Sequence, residues 1–206
     1  MLRSHLLALA LAGLTAAAGI VPSAAAAQDS RFSVELRGSL NRPLGDFGDA
    51  DGLEADGEAS LAGDLFIHLN DNLSVYGGYA REMFGCESCT DDEGFHASGF
   101  EGGVKLMANR QGRILPWLRG GLIAQELTAD FSEGEVSSDT GIGFQIAAGV
   151  DIPLGEVLSF SPALRYQTFD ADFDVVDSEF VDAEATVQHL ALDFGLHIHP
   201  GALMAR

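Results

Sequence analysis

Lysine is almost missing from this chain: Lys105 is the only one, and Lys and Arg together number 11 against 31 Asp and Glu. The formal net charge is −20. Neutralising phosphates takes clustered cations, so this balance excludes a nucleic-acid partner. Cysteine is equally scarce, at 2 residues, too few to hold a structural zinc ion without further ligands. Proline is sparse, at 6. Beyond the N-terminus no stretch reaches the ~20 consecutive apolar residues of a transmembrane helix. Long helical patterns are missing as well.

The N-terminus has the three-part layout of a secretory signal peptide. Arg3 precedes an apolar run from Leu6 to Val21, followed by Pro22 and small residues through Ala27. The leader is placed at residues 1–27, with cleavage after Ala26 or Ala27 and a mature chain from near Gln28. An uncleaved anchor is the alternative, but the run is rich in Ala and Gly and ends in four alanines, as cleavage sites do. Residues 28–206 read as one domain, with no linker and no low-complexity tract.

The C-terminal stretch HLALDFGLHIH, His189 to His199, alternates without a fault. Leu190, Leu192, Phe194, Leu196 and Ile198 share one parity; His189, Ala191, Asp193, Gly195, His197 and His199 share the other. Alternation is a strand signal, because successive side chains point to opposite faces. Seven further strands follow the pattern, starting at Phe32, Ala59, Leu73, about Phe95, Ile114, Ile142 and Leu158. The fifth is the least clean. Its length and its apolar Leu127 predict a bulge or an extension.

A soluble sandwich would also alternate. Two regularities favour lipid. Connections near Asp71, Gln111 and Gly155 are short, while segments 43–57, 85–94, 132–139 and 171–182 are long. Outer-membrane barrels have short turns at one end and long loops at the other. The face opposite the apolar one also mixes Gly, Ala and Ser with charges of both signs, which suits the narrow lumen of a small barrel. An even count of eight lets every strand edge be paired, as lipid requires. The predicted fold is all-β: an eight-stranded antiparallel up-and-down transmembrane β-barrel, preceded by a cleavable signal peptide.

With its leader, its eight alternating strands, PWLRGGL at 116–122 and the terminal HLALDFGLHIH, the chain resembles the small bacterial outer-membrane β-barrel family. That family includes the OmpA transmembrane domain, the OmpX-like proteins and the opacity-type surface proteins. Members often end on an aromatic residue; here the chain runs on from Ile198 to Arg206, and Phe194 is the nearest aromatic. The resemblance implies a monomer in the bacterial outer membrane, in contact with its lipids and lipopolysaccharide. It implies a structural, adhesive or interaction role, with a small pore for ions or solutes as the alternative. A lipid A-modifying barrel enzyme is the second alternative.

Several residues are singled out. By parity, Glu35, Asp64, Glu101, Asp151 and Asp193 can meet Arg37, Lys105, Arg119 and Arg165 in the lumen as an ion-pair network. Cys86 and Cys89 share a long loop, where an oxidising compartment favours a local disulfide. His96 and Ser98 share a face, and a His can activate a Ser if an acid orients it. The pair is similar to the His-x-Ser of lipid A deacylases, but Gly99 stands where that family has Asn, and no downstream Glu is read at matching parity. The expectation is therefore no catalytic, cofactor or metal residue. Asp46, Asp49, Asp51, Glu54, Asp56 and Glu58 crowd the first long loop, and Asp170 to Glu184 the fourth. These read as a solvated acidic rim, with divalent-cation binding as the alternative.

Overall fold

The computed structural model describes residues 31–45, 55–57, 59–86, 94–108, 113–131, 134–155, 157–173 and 183–200. The expected leader and Cys89 lie outside the described residues. Among the described residues there are ten strands: β1 (Phe32–Pro43), β2 (Ala55–Gly57), β3 (Ala59–His68), β4 (Leu73–Cys86), β5 (Gly94–Met107), β6 (Leu115–Phe131), β7 (Gly134–Ser137), β8 (Gly141–Pro153), β9 (Leu158–Phe173) and β10 (Ala183–Ile198).

Eight of them are staves. Each of β1, β3, β4, β5, β6, β8, β9 and β10 pairs antiparallel with two neighbours, in chain order. The ring closes where β1 meets β10, over ten residue pairs from Val34↔Ile198 to Pro43↔His189. Closure leaves no stave with an open edge, the condition a sheet must meet in hydrocarbon.

The two short strands correct the expected loops. β2 lies within segment 43–57 and pairs with Phe84–Cys86; β7 lies within 132–139 and pairs with Thr128–Phe131. Both extend hairpins past the staves. The anticipated bulge in the fifth strand is not there. β6 runs in unbroken register against β5, from Gly94↔Asp130 to Met107↔Trp117, so its length is an extension. A one-residue register step occurs instead against β4: Gly57 faces Phe84, but Leu61 faces Arg81.

The alternation decides what faces out. Leu122, Phe100 and Ile142 on neighbouring staves are 67, 70 and 73% exposed, and Leu192, Phe194 and Leu196 are exposed along β10. On the other parity of β10, His189, Ala191, Asp193 and His197 are buried. A belt of exposed apolar side chains around a polar interior is the inverse of a water-soluble protein.

Short turns join the staves at one end. In the β3–β4 turn the Asn70 side-chain oxygen accepts from the amides of Asn72 and Leu73, each at 2.9 Å. This Asx geometry closes the turn without further residues. In the β8–β9 turn Gly155 has φ of +150°, a conformation that favours a residue lacking Cβ. The chain's described ends also sit here, at Arg31 and beyond Ile198, so this is called the turn end and the opposite one the loop end.

Candidate functional site in the lumen

All nine charged residues expected inside are buried: Glu35, Arg37, Asp64, Glu101, Lys105, Arg119, Asp151, Arg165 and Asp193. Parity put them on the inner face; register decides which of them meet.

Near the turn end, Lys105 Nζ lies 2.9 Å from Asp151 Oδ2 and 3.2 Å from His197 Nε2. Its ammonium also sits 4.4 Å from the centre of the Trp117 ring, within cation–π range. Ser161 Oγ donates to Asp151 Oδ1 at 2.6 Å.

The middle layer is built on two arginines. The Arg37 guanidinium reaches Asp64 Oδ2 at 2.9 Å and both Glu101 oxygens at 2.8 and 2.9 Å. Such forked contacts combine charge with fixed geometry. Arg119 Nη1 lies 3.1 Å from Glu35 Oε2 and 3.5 Å from Asp64 Oδ2, so Asp64 joins the two arginines. Asp193 joins them again, at 3.8 Å from Arg37 Nε and 3.9 Å from Arg119 Nη2.

Asp193 also leads to the third layer, through Arg165 Nε at 3.1 Å. Arg165 Nη1 continues to Glu82 Oε1 at 2.8 Å, and Gln167 Nε2 bridges Glu82 Oε2 and Gln125 Oε1 at 2.9 and 2.8 Å. Glu82, His189 and His197 are members the sequence reading left out. His189 Nε2 lies 3.4 Å from Glu82, and His197 Nε2 lies 3.3 Å from Glu35. Glu82 had the right parity to be found. The histidines did too, but their charge is conditional and they were not weighed as ions.

The inner glycines have a spatial reason. A Cβ at Gly195 would overlap the Glu35 carboxylate, at Gly78 the Asp64 carboxylate, and at Gly121 the Tyr76 hydroxyl. At Gly149 it would come within 2.5 Å of the Trp117 ring. Small residues on one stave make room for large ones on another, so the interior fills.

Toward the loop end the inner face departs from the expected polar or small pattern. Phe84, Phe95, Ile123, Leu127, Phe169 and Val187 point inward and, with neighbouring alanines, form one buried apolar cluster. Leu127, which blurred the fifth strand, belongs here. It breaks the alternation because the inner face of β6 turns apolar at that height while Glu126 and Thr128 stand on the outer parity.

His96 and Ser98 lie half-buried on the outer parity of β5, with Phe100. Register corrects one point: Glu126 on β6 does share that face, opposite Ser98. Arg81 lies across from Ser98 on the other side. Cys86 ends β4, and its expected partner Cys89 is outside the described residues. Most of the acidic positions of the first and fourth loops are outside them too. Among the described residues, no group of three or more His, Cys, Asp or Glu is placed to hold a metal ion.

Comparison with known proteins adds the following. The family model described as outer membrane protein beta-barrel domain matches residues 12–199. No curated protein matches the chain. Solved structures do. Neisserial surface protein A superposes with a TM-score of 0.63 at 17% identity, covering 82% of this chain and 96% of that one. Outer membrane protein W of E. coli gives 0.54 at 14%, covering 82 and 97%. OprG from Pseudomonas aeruginosa gives 0.51 at 15%, covering 82 and 95%. At these identities the likeness is one of fold.

Proposed function

The chain belongs to the outer membrane protein β-barrel family and is a protein of the bacterial outer membrane, and from that premise we propose that it is a closed, non-enzymatic barrel whose long acidic loops face the outside. Its role is structural, adhesive or interaction-mediating, carried by those loops. The staves serve to hold the loops in place and the lumen serves to hold the staves.

One observation carries this reading: the interior is occupied from the Lys105–Asp151 pair through to the loop end. Arg37, Arg119 and Arg165 cross-link carboxylates from different staves in the middle. The apolar cluster around Phe169 and Leu127 fills the loop end. An ion crossing this lumen would have to break paired buried charges and then pass a layer offering it no polar contact, and both steps are costly. Eight staves leave an interior only as wide as its side chains. The acidic loops face the medium rather than a substrate.

The test is single-channel recording of the purified barrel in planar bilayers. The expected trace is silent at physiological salt. Frequent, stable openings of the unmodified protein would replace this reading with that of a small pore.

A further inference from the structure

On three adjacent staves the outer face changes from apolar to polar within a single register row. Arg81 on β4 lies opposite Ser98 on β5, and Ser98 lies opposite Glu126 on β6. On the turn-end side of that row the outer parity is apolar or small, with Tyr79 and Gly77 on β4, Phe100 and Gly102 on β5, and Ala124 and Leu122 on β6. On the loop-end side Met83 and His96 are half-buried and Thr128 is buried. Arg81 and Glu126 are exposed and Ser98 is half-buried. Among the described residues none of these three side chains has a hydrogen-bond or ion-pair partner. A cation, a hydroxyl and a carboxylate therefore stand in line at the edge of the apolar belt, the level of lipid headgroups. The Tyr79 and Phe100 rings, edge to face with centres 5.4 Å apart, mark that edge as interfacial aromatics do.

We propose that this row binds the phosphoethanolamine headgroup of a membrane lipid. The headgroup carries an anion and a cation joined through two carbons, and the row offers each of them its opposite. Arg81 can donate a forked pair of hydrogen bonds to the phosphate, Ser98 can donate one more, and Glu126 can accept from the ammonium. Neighbouring staves are about 4.8 Å apart, which sets Arg81 and Glu126 about 10 Å apart at the backbone with Ser98 between them. To meet each other, both side chains would have to fold over Ser98. A headgroup lying along the row meets both where they stand. The pair of charges also sets the class of lipid. A phosphoglycerol headgroup gives Glu126 no cation, and a phosphocholine gives it a cation without an N–H. The tail has a place as well. Gly77 and Gly102 are paired directly beneath the two rings. A Cβ at Gly77 would have its nearest neighbour 3.8 Å away, so the barrel's own packing does not demand glycine there and the hollow is open to an acyl chain. The site lies on the outer face, so it does not depend on whether the lumen conducts.

The experiment is native mass spectrometry of the folded barrel, stripped of lipid in detergent. Phosphatidylethanolamine, phosphatidylglycerol and phosphatidylcholine with the same acyl chains are titrated in separately. Phosphatidylethanolamine should bind in one saturable step, about ten-fold tighter than either of the others. Glu126→Gln should erase that preference while leaving phosphatidylglycerol bound at least as well as before. Arg81→Gln should weaken phosphatidylethanolamine about ten-fold. A merely structural role for these residues would not shift selectivity between headgroups. The ranking of the three lipids on the wild type stands even if a variant fails to fold. No preference for phosphatidylethanolamine, or a preference that survives Glu126→Gln or an affinity that survives Arg81→Gln, would overturn the proposal.

Discussion

Arg165 shows most plainly what a single buried charge does here. It is fully enclosed, and it joins Glu82, Asp193 and Gln167, which come from three staves. Removing one partner of a buried pair leaves the other without compensation, a loss of about 3–5 kcal/mol. Arg165→Ala takes the nearest cation from two carboxylates at once, so its unfolding midpoint in urea should drop well below that of the wild type. Arg165→Lys, which keeps the charge but not the fork, should fall between them. The outer face obeys a different rule. Leu192 is 45% exposed in the apolar belt. Leu192→Arg should cost about 2–4 kcal/mol in lipid, whereas Ala191→Ser, one residue away on the inner face, should be nearly neutral. Equal tolerance at the two sites, read by the gel shift between folded and boiled protein, would refute the assignment of faces.

At the scale of the strand, alternation told most of the story in advance. Leu190 to Ile198 and Ile142 to Ile152 were legible because one face met lipid and the other met charge, so period two stood out. Strand starts at Phe32, Ala59, Leu73 and Leu158 agree with the observed elements. The apolar layer was not legible. Where Ile123 and Leu127 turn inward against Phe84 and Phe169, apolar side chains take over the inner face while Glu126 and Thr128 stand on the outer parity, so the pattern read lower on the strand does not carry through. Pairing was not legible either, since parity assigns a face but not a height. That Arg37 meets Glu101, 64 residues away, follows only from register accumulated across three strands. The short β2 and β7 depend on partners at the ends of β4 and β6, and three or four residues carry too little pattern to announce themselves. Strand direction makes its own prediction. In a Cys86→Ser, Cys89→Ser background, a cysteine placed at Asp51 should react with an impermeant label on intact cells, and one at Asp71 should not. The reverse result would invert the barrel in its membrane.

The whole molecule separates three media by height. A cavity lies at the turn end, ion pairs fill the middle, and an apolar layer closes the loop end. Among the described residues, the six buried carboxylates Glu35, Asp64, Glu82, Glu101, Asp151 and Asp193 exceed the four buried cations Arg37, Lys105, Arg119 and Arg165, and His189 and His197 lie beside Glu82 and Glu35. The pairing of β1 with β10 has one more consequence. A ring of staves, each bonded to both neighbours, has no first member. The order in which the chain visits them is a matter of where it was cut. Val34 lies opposite Ile198, so a short linker can join the two present ends, and new ends can be opened within residues 46–54. Such a circular permutant, carrying its own leader, should reach the outer membrane and show the same heat-modifiable migration as the parent. If the permuted chain never forms that species, the present β1 and β10 are needed as termini for assembly, beyond their place in the ring.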